Sequence, residues 1–260
     1  MAEFLNLRTS GIVKAMSGTQ RDYTSKAIKS PDKVRSMFDA VAERYDLVNR
    51  LLALGMDQRW RRLAAYSTSA GKESVVLDAC TGTGDLALAI NSVTGAKVVG
   101  VDFSRDMLDK AVEKAGPAGD HGDITFVAAS VDNLPFSDNM FDAVTVGFGL
   151  RNTPDYQSVL AEFHRVVRPG GRMVCLEFSE PELPILRGPY RKFLSNMVPL
   201  IGRLASNNYR AYKYLSDSIQ VFPPQRELAR MMEKVGWAEV RYKNLLGGVV
   251  AIHVAVKGDR

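Results

Sequence analysis

The spacing of apolar positions changes character along the chain. Ser30-Pro31-Asp32 reads as a helix start, with Ser30 as cap and Pro31 at the first helical position. Val34, Phe38, Val41 and Tyr45 then recur at helical spacing, and a second helical stretch runs from about Asp57 through Trp60 and Leu63 to Tyr66. Short apolar runs take over from residue 75. Val75–Ala79, Lys97–Asp102, Ile124–Ala128, Phe141–Gly147 and Arg172–Phe178 read as five strands. Helices follow the first at Leu86–Ile90, the second at Arg105–Lys114 and the fourth at Asp155–Val167, and Arg168-Pro169-Gly170-Gly171 reads as a turn before the fifth. Strands alternating with helices imply a parallel sheet with right-handed crossovers.

Residues 181–220 break the alternation. They hold Pro181, Pro184, Pro189 and Pro199 among aromatic and basic side chains, and read as a helical insertion after the fifth strand. A helix over Glu227–Val235 ends at Gly236, and Glu239–Leu246 and Val249–Val256 form two closing strands joined by Gly247-Gly248. The expected fold is α/β and Rossmann-like: a seven-stranded, mostly parallel sheet with an antiparallel final hairpin. Residues 1–30 are expected to be a mobile tail, with a transit peptide as the alternative reading. Residues 31–260 form one domain, with a helical lid over 31–70 and a helical cap over 181–220.

Composition adds exclusions. The 260 residues are 46% hydrophobic and 24% charged, which excludes a disordered or collagen-like chain. Two cysteines, Cys80 and Cys175, are too few for a disulfide framework and point to a reducing compartment. No apolar run has the length of a membrane span. The net charge of +5 divides into +5 over residues 1–70, −7 over 71–180 and +7 over 181–260. An acidic centre between basic flanks is not the distribution of a uniformly basic nucleic-acid binder, and it counts against an RNA methyltransferase as well.

Gly82-Thr83-Gly84-Asp85-Leu86-Ala87 fits the G-x-G-x-x-A dinucleotide pattern in letters, and Asp102 ends the next strand, where a carboxylate accepts from ribose hydroxyls. Both NAD(P) and S-adenosylmethionine would use these features. Asp85 separates them, because a carboxylate in the first turn of that helix repels a pyrophosphate and attracts a sulfonium or an ammonium. Asp78 adds a second acid before the loop. The reading that results is an S-adenosylmethionine site; the turn after the third strand, Ser130, Val131 and Asp132, is either its adenine edge or an ordinary strand–helix loop.

With these residues in hand, the chain resembles the class I methyltransferases and, within them, the ubiquinone/menaquinone biosynthesis C-methyltransferases (the UbiE/MenG type). The resemblance rests on Tyr45-Asp46-Leu47-Val48-Asn49, Gly147-Phe148-Gly149-Leu150-Arg151-Asn152, Arg168-Pro169-Gly170-Gly171, Leu176-Glu177-Phe178-Ser179-Glu180-Pro181 and Tyr212–Ile219. It implies that Thr83, Asp102, Ser130, Val131 and Gly147 line the cofactor site, beside Gly82 and Gly84 of the glycine loop. Family members often carry Ser where this chain has Gly147, so only a backbone contact is carried over there. The activity it implies is C-methylation of a prenylated quinol ring, demethylmenaquinol or its benzoquinol counterpart. Another lipophilic phenol or a sterol is the alternative acceptor.

For that chemistry Arg151 would stabilise a phenolate or orient a water, Asn152 would hold a ring oxygen, and Tyr45 would reach the ring from the lid. Asp85 is the nearest candidate for the base. Arg151 in a salt bridge and Tyr45 in lid packing are the structural alternatives. His121 and His164 read as surface residues and His253 as a structural histidine, and no Cys/His spacing points to a metal. The apolar and basic residues of 183–215 suit a peripheral contact with anionic lipid, or simply a cap over the sheet. The expected partner is a lipophilic prenyl quinol, without nucleic acid, in the cytoplasm or at the inner face of the membrane; a homodimer is left open.

Overall fold

The computed structural model describes residues 50, 53, 55–116, 123–206 and 209–259, with the backbone alone at 204–206. The tail, the helix from Pro31, Tyr45 and His121 lie outside the described residues. Of the expected lid, the helix α1 (Asp57–Ser67) is described.

The alternating pattern folds as β1 (Val75–Ala79), α2 (Asp85–Thr94), β2 (Lys97–Asp102), α3 (Arg105–Ala115), β3 (Ile124–Ala128), β4 (Phe141–Gly147), α4 (Tyr156–Val166) and β5 (Val167–Phe178). The insertion is helical: α5 (Pro184–Lys192), a π-helical stretch Phe193–Met197, α6 (Val198–Ser206) and α7 (Tyr209–Val221). Then come α8 (Gln225–Lys234), β6 (Trp237–Leu245) and β7 (Val250–Lys257).

The seven strands lie in the order β3-β2-β1-β4-β5-β7-β6. Pairing is parallel from β3 through β5, and β7 runs antiparallel to both β5 and β6. The closing pair is thus not simply added at the edge: β7 slots between β5 and β6, so β6 runs with the parallel strands. The Arg168–Gly171 motif is also not a turn ahead of β5. Val167 already pairs with Phe141, the register then jumps to Ala143 with Arg172, and the motif bulges out within the strand, with Gly170 at φ 75°.

Alternation along the central strands builds two cores on opposite faces. Leu77, Val144, Val146, Met173 and Cys175 pack with Leu160 and Phe163 of α4 and Leu228 and Met232 of α8. Val76, Ala143, Val174 and Leu176 pack with Trp60 and Ala64 of α1 and Leu86 and Ile90 of α2. Leu194, Val198, Ala211, Tyr212 and Ile219 give the insertion a small core of its own. The strand order reverses between β1 and β4, and the carboxyl ends of the strands open there into a crevice, where ligands bind in sheets of this kind.

Candidate active site

A cavity occupies that crevice, and its two ends differ. At one end β1 runs into the glycine loop. Gly84 caps α2 in the left-handed region at φ 82°, and a Cβ there would lie 3.1 Å from Ala111 Cβ and 3.2 Å from the Phe126 ring, so glycine serves both turn and packing. The Asp102 carboxylate is buried and oriented by two backbone donors, Gly82 N–H at 2.9 Å and Ser104 N–H at 3.0 Å. Thr81, Gly82, Thr83, Phe103, Met107 and the Ser130–Asp132 turn complete this end. Asp78 stands behind the loop, accepting 2.6 Å bonds from the hydroxyls of Thr81 and Thr145. Burial pushes its carboxyl up to about 6, against the pull of those two bonds.

The other end is aromatic and carries two arginines. Phe148 and Phe178 pack at 4.8 Å between ring centroids, Trp60 lies 6.3 Å from Phe148, and Leu215 of α7 joins the lining. The Arg61 guanidinium stands 5.5 Å from the Phe148 ring and that of Arg151 5.4 Å from the Phe178 ring. Phe148 holds φ 57°, a costly conformation for a bulky residue, and the Arg151 Nη1 donates to its carbonyl. Arg151 is buried, bonded through Nη1 to Glu177 Oε1 at 2.8 Å. The backbone N–H groups of Arg151 and Phe178 also donate to the Glu177 carboxylate, at 3.3 and 2.8 Å. Burial raises the pKa of Glu177, and Arg151 is the main opposing influence.

Of the residues expected at the site, Gly82, Thr83, Asp102, Ser130, Val131, Gly147, Arg151 and Asn152 line the cavity together. Gly84 and Asp85 are not among the lining residues. Asp85 needs a correction: its carboxylate is bonded to Lys114 Nζ at 2.7 Å and lies 3.6 Å from Arg61 Nη2. This carboxylate is engaged by two cations of the chain and stands outside the cavity lining. Arg151 makes the ion pair named as its structural alternative while also lining the cavity. The side-chain oxygen of Asn152 is buried and, among the described residues, meets no hydrogen-bond partner. His164 lies half-buried, its ring edge-on to Trp237 at 5.2 Å, and burial lowers its pKa. His253 is buried with Nε2 2.9 Å from the Gln225 carbonyl, and burial takes it down to about 4.

Sequence reading missed Asp57, Arg61, Phe148, Phe178 and Glu177 as site residues. Phe148, Glu177 and Phe178 stood inside quoted motifs without roles. Asp57 and Arg61 carried a weaker signal, an acid and a base four residues apart on a predicted helix.

Fold and cavity together have the architecture of the class I methyltransferases. The model of the ubiE/COQ5 methyltransferase family matches residues 26–257, and the chain belongs to that family. It is 44% identical over 230 residues to the ubiquinone/menaquinone biosynthesis C-methyltransferase UbiE of Syntrophotalea carbinolica, covering 88% of this chain and 96% of that one. It is 44% identical over 232 residues to the demethylmenaquinone methyltransferase of a Mycobacterium species (strain JLS), covering 89% and 97%. Among solved structures, the [4+2]-cyclase SpnF superposes with a TM-score of 0.67 at 16% identity, over 88% of this chain and 97% of that one. Phosphoethanolamine N-methyltransferase 2 of Haemonchus contortus, in complex with S-adenosyl-L-methionine, does so with 0.53 at 15% identity, over 73% and 49%. These last two are likenesses of fold.

Proposed function

We propose that the protein transfers the methyl group of S-adenosylmethionine to a ring carbon of a prenylated quinol, as in the conversion of a demethylmenaquinol to a menaquinol. The observation that carries this reading is the cavity's division, in a chain of this family, between a polar end at Asp102 and an aromatic, arginine-bearing end at Phe148, Phe178 and Arg151. The residues at the polar end fit the cofactor. Asp102 is placed for ribose hydroxyls, and Phe103, Met107 and Val131 offer apolar surface for a base. When bound, the cofactor supplies an electrophilic methyl on a cationic sulfur.

The remaining work falls to the chain. A ring carbon becomes nucleophilic as its neighbouring hydroxyl loses a proton. Arg151 cannot lose its own proton, so it acts by charge, favouring the phenolate over the phenol. Glu177 holds that guanidinium in place, and Asn152 Oδ1 is available to accept from a second ring hydroxyl. The aromatic walls exclude water and align the ring. Each transfer forms one carbon–carbon bond, breaks one sulfur–methyl bond and releases one proton. Incubation with methyl-labelled donor and a reduced short-chain demethylmenaquinol tests the proposal. Label in the ring is expected; its absence from the ring removes the reading.

We further infer that the insertion meets an anionic bilayer, from which a prenyl tail would come. Leu186, Phe193, Met197 and Leu200 are exposed at intervals of seven, four and three residues, the spacing of one helix face, and Ile185 is 80% exposed. Arg187, Arg191, Lys192 and Arg203 are interleaved along the same stretch. Among the described residues, no helix is long and apolar enough to cross a membrane. Co-sedimentation with phosphatidylglycerol vesicles, lost in Ile185→Glu/Phe193→Glu, is expected; retention by that variant would refute the surface contact.

A further inference from the structure

The first turns of α1 hold two buried ionic groups that no step above uses. Asp57 and Arg61 are 5% and 8% exposed, and both line the cavity. They stand four residues apart on one helix face, and their nearest charged atoms, Arg61 Nε and Asp57 Oδ2, are 3.8 Å apart, an ion pair too long for a hydrogen bond. Among the described residues, the buried Asp57 Oδ1 and Arg61 Nε each meet no hydrogen-bond partner. An acceptor and a donor are therefore orphaned side by side in one cavity. Each pays a desolvation penalty while unmet.

The surroundings say what would meet them. Asp85 faces Arg61 from the start of α2, and Lys114 of α3 faces Asp85. Asp57, Arg61, Asp85 and Lys114 sum to zero charge, so a ligand group carrying net charge would unbalance the set. A group bearing one ammonium and one carboxylate would not. Arg61 also stands by Gly147, where an added Cβ would lie 3.8 Å from its Nη1.

We propose that Asp57 and Arg61 form a clamp for an α-amino-acid zwitterion, with Asp57 accepting from the ammonium and Arg61 donating to the carboxylate. Resting on the function proposed above, this makes the clamp the recognition site for the amino-acid end of the methyl donor. Asp85, which the sequence alone had placed against the ligand, instead positions Arg61.

The test compares two ligands by calorimetry on the full chain. S-adenosylhomocysteine carries the amino-acid end; 5′-methylthioadenosine keeps the nucleoside and ends at the thioether. The native protein is expected to prefer the former by about a hundredfold, two charge-assisted contacts at roughly tenfold each. Asp57→Asn and Arg61→Gln should each cut that preference about tenfold, and 5′-methylthioadenosine should bind the variants as it binds the native chain. Because both residues are buried, each variant's thermal melt is recorded, and the ratio of the two affinities is read on folded protein only. Should a variant misfold, the native preference alone decides, and equal affinity for the two ligands overturns the clamp. Equal weakening of both ligands in the variants would assign the pair a structural role and overturn it too. Binding of neither ligand by the native protein would instead strike the adenosyl site itself.

Discussion

The two ends of the cavity are built by different means. The polar end is made mostly of neighbours in sequence: Asp78, the Gly82–Gly84 turn, Asp102 and Ser104 belong to one strand–helix–strand unit, backbone N–H groups fix its key carboxylate, and the Ser130–Asp132 turn joins from beyond β3. The aromatic end is made of side chains gathered from afar. Trp60, Phe148, Arg151, Phe178 and Leu215 come from α1, the segment after β4, the end of β5 and the insertion. An end fixed by local backbone tolerates side-chain change around it. An end fixed by buried side chains depends on each of them.

The largest effect expected of that contrast is at Glu177. Glu177→Gln leaves the Arg151 guanidinium buried without its counter-charge, a loss of about 3–5 kcal/mol. Urea unfolding measures it. Arg151→Met combined with Glu177→Leu should regain most of that stability and still fail to methylate, because the charge facing the acceptor is gone. A Glu177→Gln protein as stable as the native one would mean that the pair does not hold this end together.

The same contrast explains what was legible in the sequence. Glycines at loop spacing, an acid at the end of the second strand and the strand–helix alternation are short-range signals, and they place Gly82, Thr83 and Asp102 in the cavity. The register bulge at Arg168–Gly171 and the insertion of β7 between β5 and β6 depend on pairing across the sheet, which no local pattern encodes. Asp85 was misread for a similar reason. Its position at the start of a helix is local, but the cations that neutralise it, Arg61 and Lys114, come from α1 and α3. Glu177 and Phe178 were visible as letters, and only the fold brings them to Arg151 and Phe148.

At the polar end the next effect is one of pH. The Asp78 carboxyl sits at about 6 in the folded protein, above its ordinary 3.8, because burial disfavours its charged form. The folded state therefore holds this proton more tightly than the unfolded chain. The resulting stabilisation is complete below pH 3.8 and is lost as pH rises through 6, about 3 kcal/mol in all. Asp78→Asn should remove that dependence, so its stability relative to the native chain climbs between pH 4 and 6. His253, lowered to about 4, works in the opposite sense, its contribution being present above pH 6.5 and lost as pH falls through 4. Urea midpoints of both proteins across pH 4–7 separate the two groups. A constant difference between native and Asp78→Asn would contradict the burial argument.

A smaller change is expected at Asp102. Asp102→Ala removes the acceptor of two backbone N–H bonds and the carboxylate offered to a ribose, about 2 kcal/mol of ligand affinity, or roughly thirtyfold in Kd. Phe178→Ala should leave that affinity within about twofold and lower turnover of the quinol. If both variants shift Kd alike, the two ends do not act separately.

Gly147 lies on the boundary between the ends and is expected to give the smallest effect. A Cβ there would meet Leu86 Cδ2 at 2.9 Å, the far end of a flexible side chain that can turn aside. Gly147→Ser should therefore cost about 1 kcal/mol of stability. Gly149 is the control, since its added Cβ would fall 2.3 Å from Cys80 Cβ, an atom held close to the backbone. Gly149→Ala must move the chain itself and should cost more than Gly147→Ser in the same thermal melt. The serine hydroxyl adds a donor beside the glycine loop, so a tighter S-adenosylhomocysteine complex with unchanged quinol turnover would place Gly147 with the polar end. Loss of turnover at unchanged affinity would move the boundary between the ends to the other side of this residue.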